Sequence, residues 1–222
     1  MKKDFQIRPF RLGSHRVVAI YEKRLREASQ LVKDGLTKLP RLLKTDKDLV
    51  IIISATKDEF VKSRMGGVGG YTPNDHGIFI RVNTESRKWR DSLSGTMAHE
   101  FNHLIRFQKM KGREKATLLT SLIFEGLAQC FEEDVTGKLR PWSKALTKAE
   151  ATKVWKKIKG KLNSDSRDLN YRLFFKRDDI EFPLWSGYTI GYLLVRKRIN
   201  ELGNGWSSIM DMKSEEFVGK GI

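Results

Sequence analysis

Cysteine is almost missing: the 222 residues contain one, Cys130. A lone thiol closes no internal disulfide, which excludes a cross-linked secreted scaffold and fits a reducing compartment. Cys130 stands beside Phe131 in an apolar helical stretch and reads as a small buried hydrophobe. Long hydrophobic runs are missing as well. The longest, Leu49 to Ile53 and Leu193 to Val195, fall far short of the roughly 18–20 residues that a membrane span needs. The opening Met1-Lys2-Lys3-Asp4-Phe5 is basic but leads into no apolar signal-peptide core, so the expectation is a cytoplasmic protein without a membrane span.

Acidic residues are in deficit: 27 Asp and Glu stand against 43 Lys and Arg, a net charge of +16. Such an excess attracts nucleic acid, anionic lipid or acidic proteins. The basic residues are nevertheless spread out. Their densest runs are Lys2-Lys3, Lys109 to Lys115 and Lys153 to Lys161, and none forms a recognisable binding module. A solvated basic surface and a patch for nucleic acid or an acidic partner both stay open. With 39% hydrophobic and 32% charged residues, the composition is that of a soluble globular chain. The length suits one ordinary domain or one domain with a waist, here a single domain with an N-terminal α/β part over about residues 1–112 and a helical part over about 113–222.

Repeats and low-complexity segments are absent. Val17, Val18, Tyr21, Leu25, Ala28, Leu31 and Val32 recur at helical spacing, which predicts a first helix from Ser14 to Lys38, ended by Pro40. Leu49 to Ser54, short and β-branched, reads as a strand. A glycine-rich segment follows from Gly66 to Pro73, then a second strand at Ile78 to Val82. From Glu85 the chain turns helical, with a stripe of Leu93, Met97, Phe101, Leu104, Ile105 and Met110 up to a stop at Gly112. Further helices are expected at Thr117 to Asp134, Thr147 to Lys161 and Gly187 to Leu202, with a loop at Lys138 to Trp142 and a polar region from Asn163 to Asp179. Strands early and helices late make an α+β class.

Histidine is also scarce, with 4 residues, yet two stand four apart in His99-Glu100-Phe101-Asn102-His103. Residues four apart on a helix differ by about 40° around the axis and about 6 Å along it, so both imidazoles can meet one ion. Zinc suits them. Glu100 is turned about 100° from His99 and can reach a water on that ion, as a general base must. A catalytic zinc usually takes three protein ligands. Glu125 is the best third: a lone carboxylate after Leu118, Leu119, Leu122, Ile123 and Phe124, costly to desolvate unless paired or metal-bound. A surface glutamate is the plain alternative, and Glu132 and Glu133 are weaker rivals. Gly126, lacking a side chain, would let another helix come close.

HExxH, 21 residues and then the glutamate of Glu125-Gly126-Leu127-Ala128 resemble the gluzincin metallopeptidases, and more closely a bacterial family described as zinc-dependent proteases. The resemblance runs from Gly66-Gly67-Val68-Gly69-Gly70-Tyr71-Thr72-Pro73 to Ser186-Gly187-Tyr188-Thr189-Ile190-Gly191-Tyr192. It implies a zincin-like fold, in which a small twisted sheet lies over the active-site helix and substrate runs along an edge strand. It implies one zinc on His99, His103 and Glu125, with Glu100 as base in hydrolysis of a peptide or protein. Phe124 replaces an asparagine common in better-known gluzincins. Gln129 replaces an aspartate that orients a ligand histidine in some of them, and can still accept an imidazole N–H bond without charge.

Related enzymes stabilise the oxyanion with a tyrosine or histidine. Tyr188, between Gly187 and Gly191, is the candidate here, with a core tyrosine as the alternative. His76 is a candidate substrate contact or a plain loop histidine. The glycine-rich segment matches neither a P-loop nor a dinucleotide fingerprint. Gly69, Gly70 and Tyr71 would form a flap beside the substrate, or simply a mobile turn, with Ile78 to Val82 as the edge a peptide pairs with. The competing functions are a non-catalytic zinc protein and a basic nucleic-acid-binding protein in which the HExxH string is incidental.

Overall fold

The computed structural model describes residues 4–203, 205–219 and 221–222. They form two compact units, one running to Lys109 and one from Met110. The architecture is mixed α+β, with the strands in the first unit. Among the described residues no helix is long and apolar enough to cross a membrane.

The first unit is built on a five-stranded sheet in the order β1-β2-β3-β5-β4. These strands are β1 (Phe5–Leu12), β2 (His15–Glu22), β3 (Leu49–Ala55), β4 (Val68–Tyr71) and β5 (Gly77–Val82). β1 pairs antiparallel with β2, β2 and β5 flank β3 in parallel, and β4 closes the other side antiparallel to β5. Three helices accompany the sheet: α1 (Arg26–Leu36), α2 (Glu59–Arg64) and α3 (Trp89–Met110). One sheet face is buried through Val17, Ala19, Leu49, Ile51, Ile53, Val68, Ile78, Ile80 and Val82. Across the other face a register row of Ile7, Ile20, Ile52, Phe79 and Tyr71 stays partly or largely exposed.

Two sequence expectations fail here. The stretch from Ser14 to Lys38 is not one helix: strand β2 fills its first third, and α1 begins only at Arg26. Val17, Ala19 and Tyr21 are buried while Arg16 is exposed, a period of two that the helical spacing of Val17, Val18 and Tyr21 disguised. The missing partner strand, β1, carries Pro9, which an edge strand tolerates. Gly13, at φ 63°, makes the two-residue turn between Leu12 and His15. The second failure concerns the glycine-rich segment. Residues 68–71 are neither a flap nor a turn but the edge strand itself, and Gly77–Val82 lies inside the sheet. A Cβ on Gly66 would lie 2.2 Å from Ser92 Oγ, and one on Gly70 would lie 2.4 Å from Glu100 Cγ. Gly66 and Gly70 are therefore where the backbone runs against α3, while a Cβ on Gly67 would meet Ser86 at 2.5 Å.

The second unit is helical, with α4 (Leu118–Thr136), α5 (Lys148–Ile158), α6 (Arg167–Phe174), α7 (Ser186–Leu202) and α8 (Trp206–Asp211). Thr117 and Thr120 cap α4 reciprocally, and Thr147 and Glu150 do so for α5. The region expected to be merely polar, Asn163 to Asp179, contains α6, which Ser166 caps through Leu169 N at 3.2 Å. Helices α4 and α7 meet through glycine: a Cβ on Gly126 would lie 2.2 Å from Gly191 O, and a Cβ on Gly191 2.2 Å from Leu122 O. Gly126 does admit a helix, and that helix is α7. Cys130 is buried in α4, and burial pushes its thiol well above the ordinary range, which makes it inert.

Gly126→Ala and Gly191→Ala must force backbones apart and should each cost about 1–3 kcal/mol or more in urea denaturation. Gly35→Ala is the contrast. It has nothing within 4 Å, and should leave stability unchanged or raise it by roughly 0.5–1 kcal/mol. Arg172 holds the Asp179 carboxyl well below its usual range, helped by the amides of Glu181 and Phe182. A depressed carboxyl stabilises above its unfolded pKa of about 3.9 and loses that contribution as pH falls. The melting-temperature gap between wild type and Asp179→Asn should therefore be fully open at neutral pH and narrow progressively as pH falls below about 4.

Candidate metal centre

The rotation of α3 is set by what it buries. Leu93, Met97, Ala98, Phe101, Leu104 and Ile105 are each at most 1% exposed. Fixing that stripe leaves His99 and His103 on a common face, with ring centroids 4.6 Å apart and planes perpendicular. His103 is buried and His99 half-buried. Glu100 points elsewhere, toward β4. It is buried, and its Oε2 accepts a hydrogen bond from Thr72 Oγ1 at 2.7 Å. Thr72 follows the end of β4 and, by the alternation of the strand, faces the same way as Val68 and Gly70.

The ligand atoms of His99, His103 and Glu125 all lie within 4.8 Å of one another. Two imidazole nitrogens and a carboxylate oxygen are the donor set of a hydrolytic zinc site, and three ligands leave a coordination position open. The residues present fit zinc.

The rival carboxylates are occupied. Glu132 is ion-paired with Arg140. Glu133 accepts from Tyr192 Oη at 2.8 Å and from Arg196 at 2.6 Å. Burial and Glu133 together push the Tyr192 hydroxyl up to about 12, so it stays protonated as a donor. Gln129 has an assignment the sequence did not suggest. Its Nε2 donates to Glu125 O at 3.1 Å and to Tyr188 O at 3.0 Å, while its Oε1 accepts from Ser143 Oγ at 2.5 Å. Tyr188 is half-buried near the start of α7, its ring edge-on to Phe174 at 5.1 Å. Trp185, just before α7, takes a left-handed backbone at φ 68°, rare for a bulky residue.

The glycine-segment residues split by face. Gly70 is turned to Glu100, whereas Tyr71 is 64% exposed on the opposite face, level with Phe79. His76 is an exposed residue whose Nδ1 lies 3.0 Å from Asp75 Oδ1. Thr72 escaped sequence reading. A threonine before Pro73 at the end of a glycine-rich strand carries no signal of its own, because its partner is 28 residues away.

The chain belongs to the protein family described as "Predicted Zn-dependent protease", which it matches over residues 28–219. None of the curated proteins matches it. Among solved structures, an aminopeptidase N family protein from Idiomarina loihiensis is similar, with a TM-score of 0.48 and 12% identity. That similarity covers 98% of this chain and 41% of the other, so the chain spans less than half of that protein's length.

Gln129→Leu strips donors and an acceptor from buried partners and should cost about 1–3 kcal/mol in chemical denaturation. Because these bonds run to backbone and to Ser143, bound zinc measured by mass spectrometry should change little.

Proposed function

We propose that this protein is a zinc-dependent peptidase of zincin-like fold, whose single metal ion is held by His99, His103 and Glu125. The observation that carries the reading is the convergence of those three donors within 4.8 Å in a chain of a protease family. When bound, zinc supplies Lewis acidity that makes water a competent nucleophile near neutral pH and polarises the scissile carbonyl. Glu100 is the general base: its carboxylate takes the proton from the attacking water and then delivers it to the leaving amine. The Tyr188 hydroxyl donates a hydrogen bond to the oxyanion that develops on the carbonyl. The peptide lies extended along β4, the edge strand, and uses the backbone of Gly69, Gly70 and Tyr71 for pairing, with His76 farther along as a side-chain contact. Gln129 supports the site by tying the backbone of Glu125 to that of Tyr188.

Wild-type protein reconstituted with zinc and dialysed should retain about one ion per chain, whereas Glu125→Ala and His103→Ala should retain far less. Glu100→Gln should keep its zinc and lose about 10²–10⁴-fold of its activity on fluorescein-labelled casein. Full hydrolysis by Glu100→Gln, or undiminished zinc in Glu125→Ala, would overturn the reading.

A further inference from the structure

A general base works only if its carboxylate is aimed, and a glutamate has three rotatable torsions along which to lose that aim. The surroundings of Glu100 restrict it in two ways. Strand β4 lies so close that a Cβ on Gly70 would come within 2.4 Å of Glu100 Cγ and Oε1 and 2.6 Å of Cδ. Two residues further along the chain, Thr72 Oγ1 lies 2.7 Å from Oε2. The same hydroxyl is 3.1 Å from the Glu100 main-chain oxygen, but it has a single proton, and the shorter bond to a charged acceptor is the stronger one. Thr72 is 6% exposed and Glu100 5%, so water competes little for this bond. Pro73 adds preorganisation, since a residue before proline is confined to extended backbone.

We propose that Thr72 is the positioning residue for the general base: its hydroxyl occupies Oε2 of Glu100 and leaves Oε1, the oxygen beneath Gly70, as the atom that takes and returns the proton. The inference rests on the reading of Glu100 as the base. The hydroxyl acts through the carboxylate, which it holds in one rotamer. Gly70 serves the same end by absence, because any side chain there would displace the Glu100 side chain that Thr72 holds.

The test compares Thr72→Val, which keeps shape and removes the hydroxyl, with Thr72→Ser, which keeps the hydroxyl. Each is measured for zinc content, melting temperature, and kcat and KM on fluorescein-labelled casein; metal-free Thr72→Val is also crystallised. Thr72→Val should hold as much zinc as wild type and keep KM within about twofold, while kcat falls about 10–100-fold, the worth of one charge-assisted hydrogen bond. Thr72→Ser should recover kcat to within about threefold of wild type. In the crystal, the Glu100 carboxylate of Thr72→Val should leave its place beneath Gly70.

Unchanged kcat in Thr72→Val, a serine variant as poor as the valine one, or zinc and melting temperature falling in step with activity would each overturn the proposal. If zinc-loaded wild type leaves casein intact, the peptidase reading fails. The crystallographic comparison still decides whether Thr72 holds the carboxylate, and an unmoved Glu100 would overturn that.

Discussion

The seating of α3 in its unit governs where His99, Glu100 and His103 point. Its rotation is fixed by Met97, Phe101, Leu104 and Ile105, whose burial leaves no alternative face for the core. Slipping the helix by one residue would turn it about 100° and exchange an apolar contact for a histidine or a carboxylate. The hydrophobic stripe therefore aims His99 and His103 together and sends Glu100 toward the strand side. Gly70 of β4 and Gly66 just before the strand belong to the same constraint. With side chains at positions 66 and 70, the strand could not approach the face that carries Ser92 and Glu100, and Thr72 could not reach the carboxylate.

How much of this was legible depends on whether the signal was local. Helix α3 was legible because its stripe extends over several turns, and α4 and α7 because Thr117 and Gly203 mark an end of each. The HExxH spacing maps directly onto a helix face. Strands β1 and β2 were not legible as such. Eight residues that satisfy a period of two can satisfy a period of 3.6 by accident when most of them are apolar, as Val17, Val18, Ala19, Ile20 and Tyr21 are. The two-residue Gly13-Ser14 turn was the available clue, since glycine followed by serine between apolar runs is a hairpin signal. The glycine-rich strand was hidden for the opposite reason. Glycine lowers strand propensity, and the reason for tolerating it lies in α3, a distant stretch of chain.

Charge is managed locally rather than by the bulk excess of +16. The acidic end of α4 is absorbed by cations and donors of its own unit. Arg140 pairs with Glu132, Arg196 bridges Glu133 and Asp134, and Trp206 Nε1 donates to Asp134 at 3.0 Å. Three carboxylates close in sequence to Glu125 are thereby committed to holding α4 to the 3-10 turn at Pro141–Lys144, to α7 and to α8. Composition alone could not separate Glu125 from Glu132 and Glu133; what distinguishes Glu125 is that its ligand atom lies within 4.8 Å of those of His99 and His103.

Within the second unit, the residues proposed for chemistry are bound to one another through backbone rather than through side chains. Gly126 and Gly191 let α4 and α7 touch at the turn next to Glu125. One turn further along α4, the Gln129 amide bridges the carbonyls of Glu125 and Tyr188, and Ser143 locks its oxygen. A charged aspartate at position 129 could orient an imidazole, but it has no N–H to give and would leave both carbonyls without this donor. Glutamine brings two donors and one acceptor oxygen, the set this junction uses. Gln129 thus holds a set of hydrogen bonds of its own, to the carbonyls of Glu125 and Tyr188 and to Ser143. Its side chain fixes the spacing between the proposed ligand and the proposed oxyanion donor, and a charge at that position would defeat the purpose.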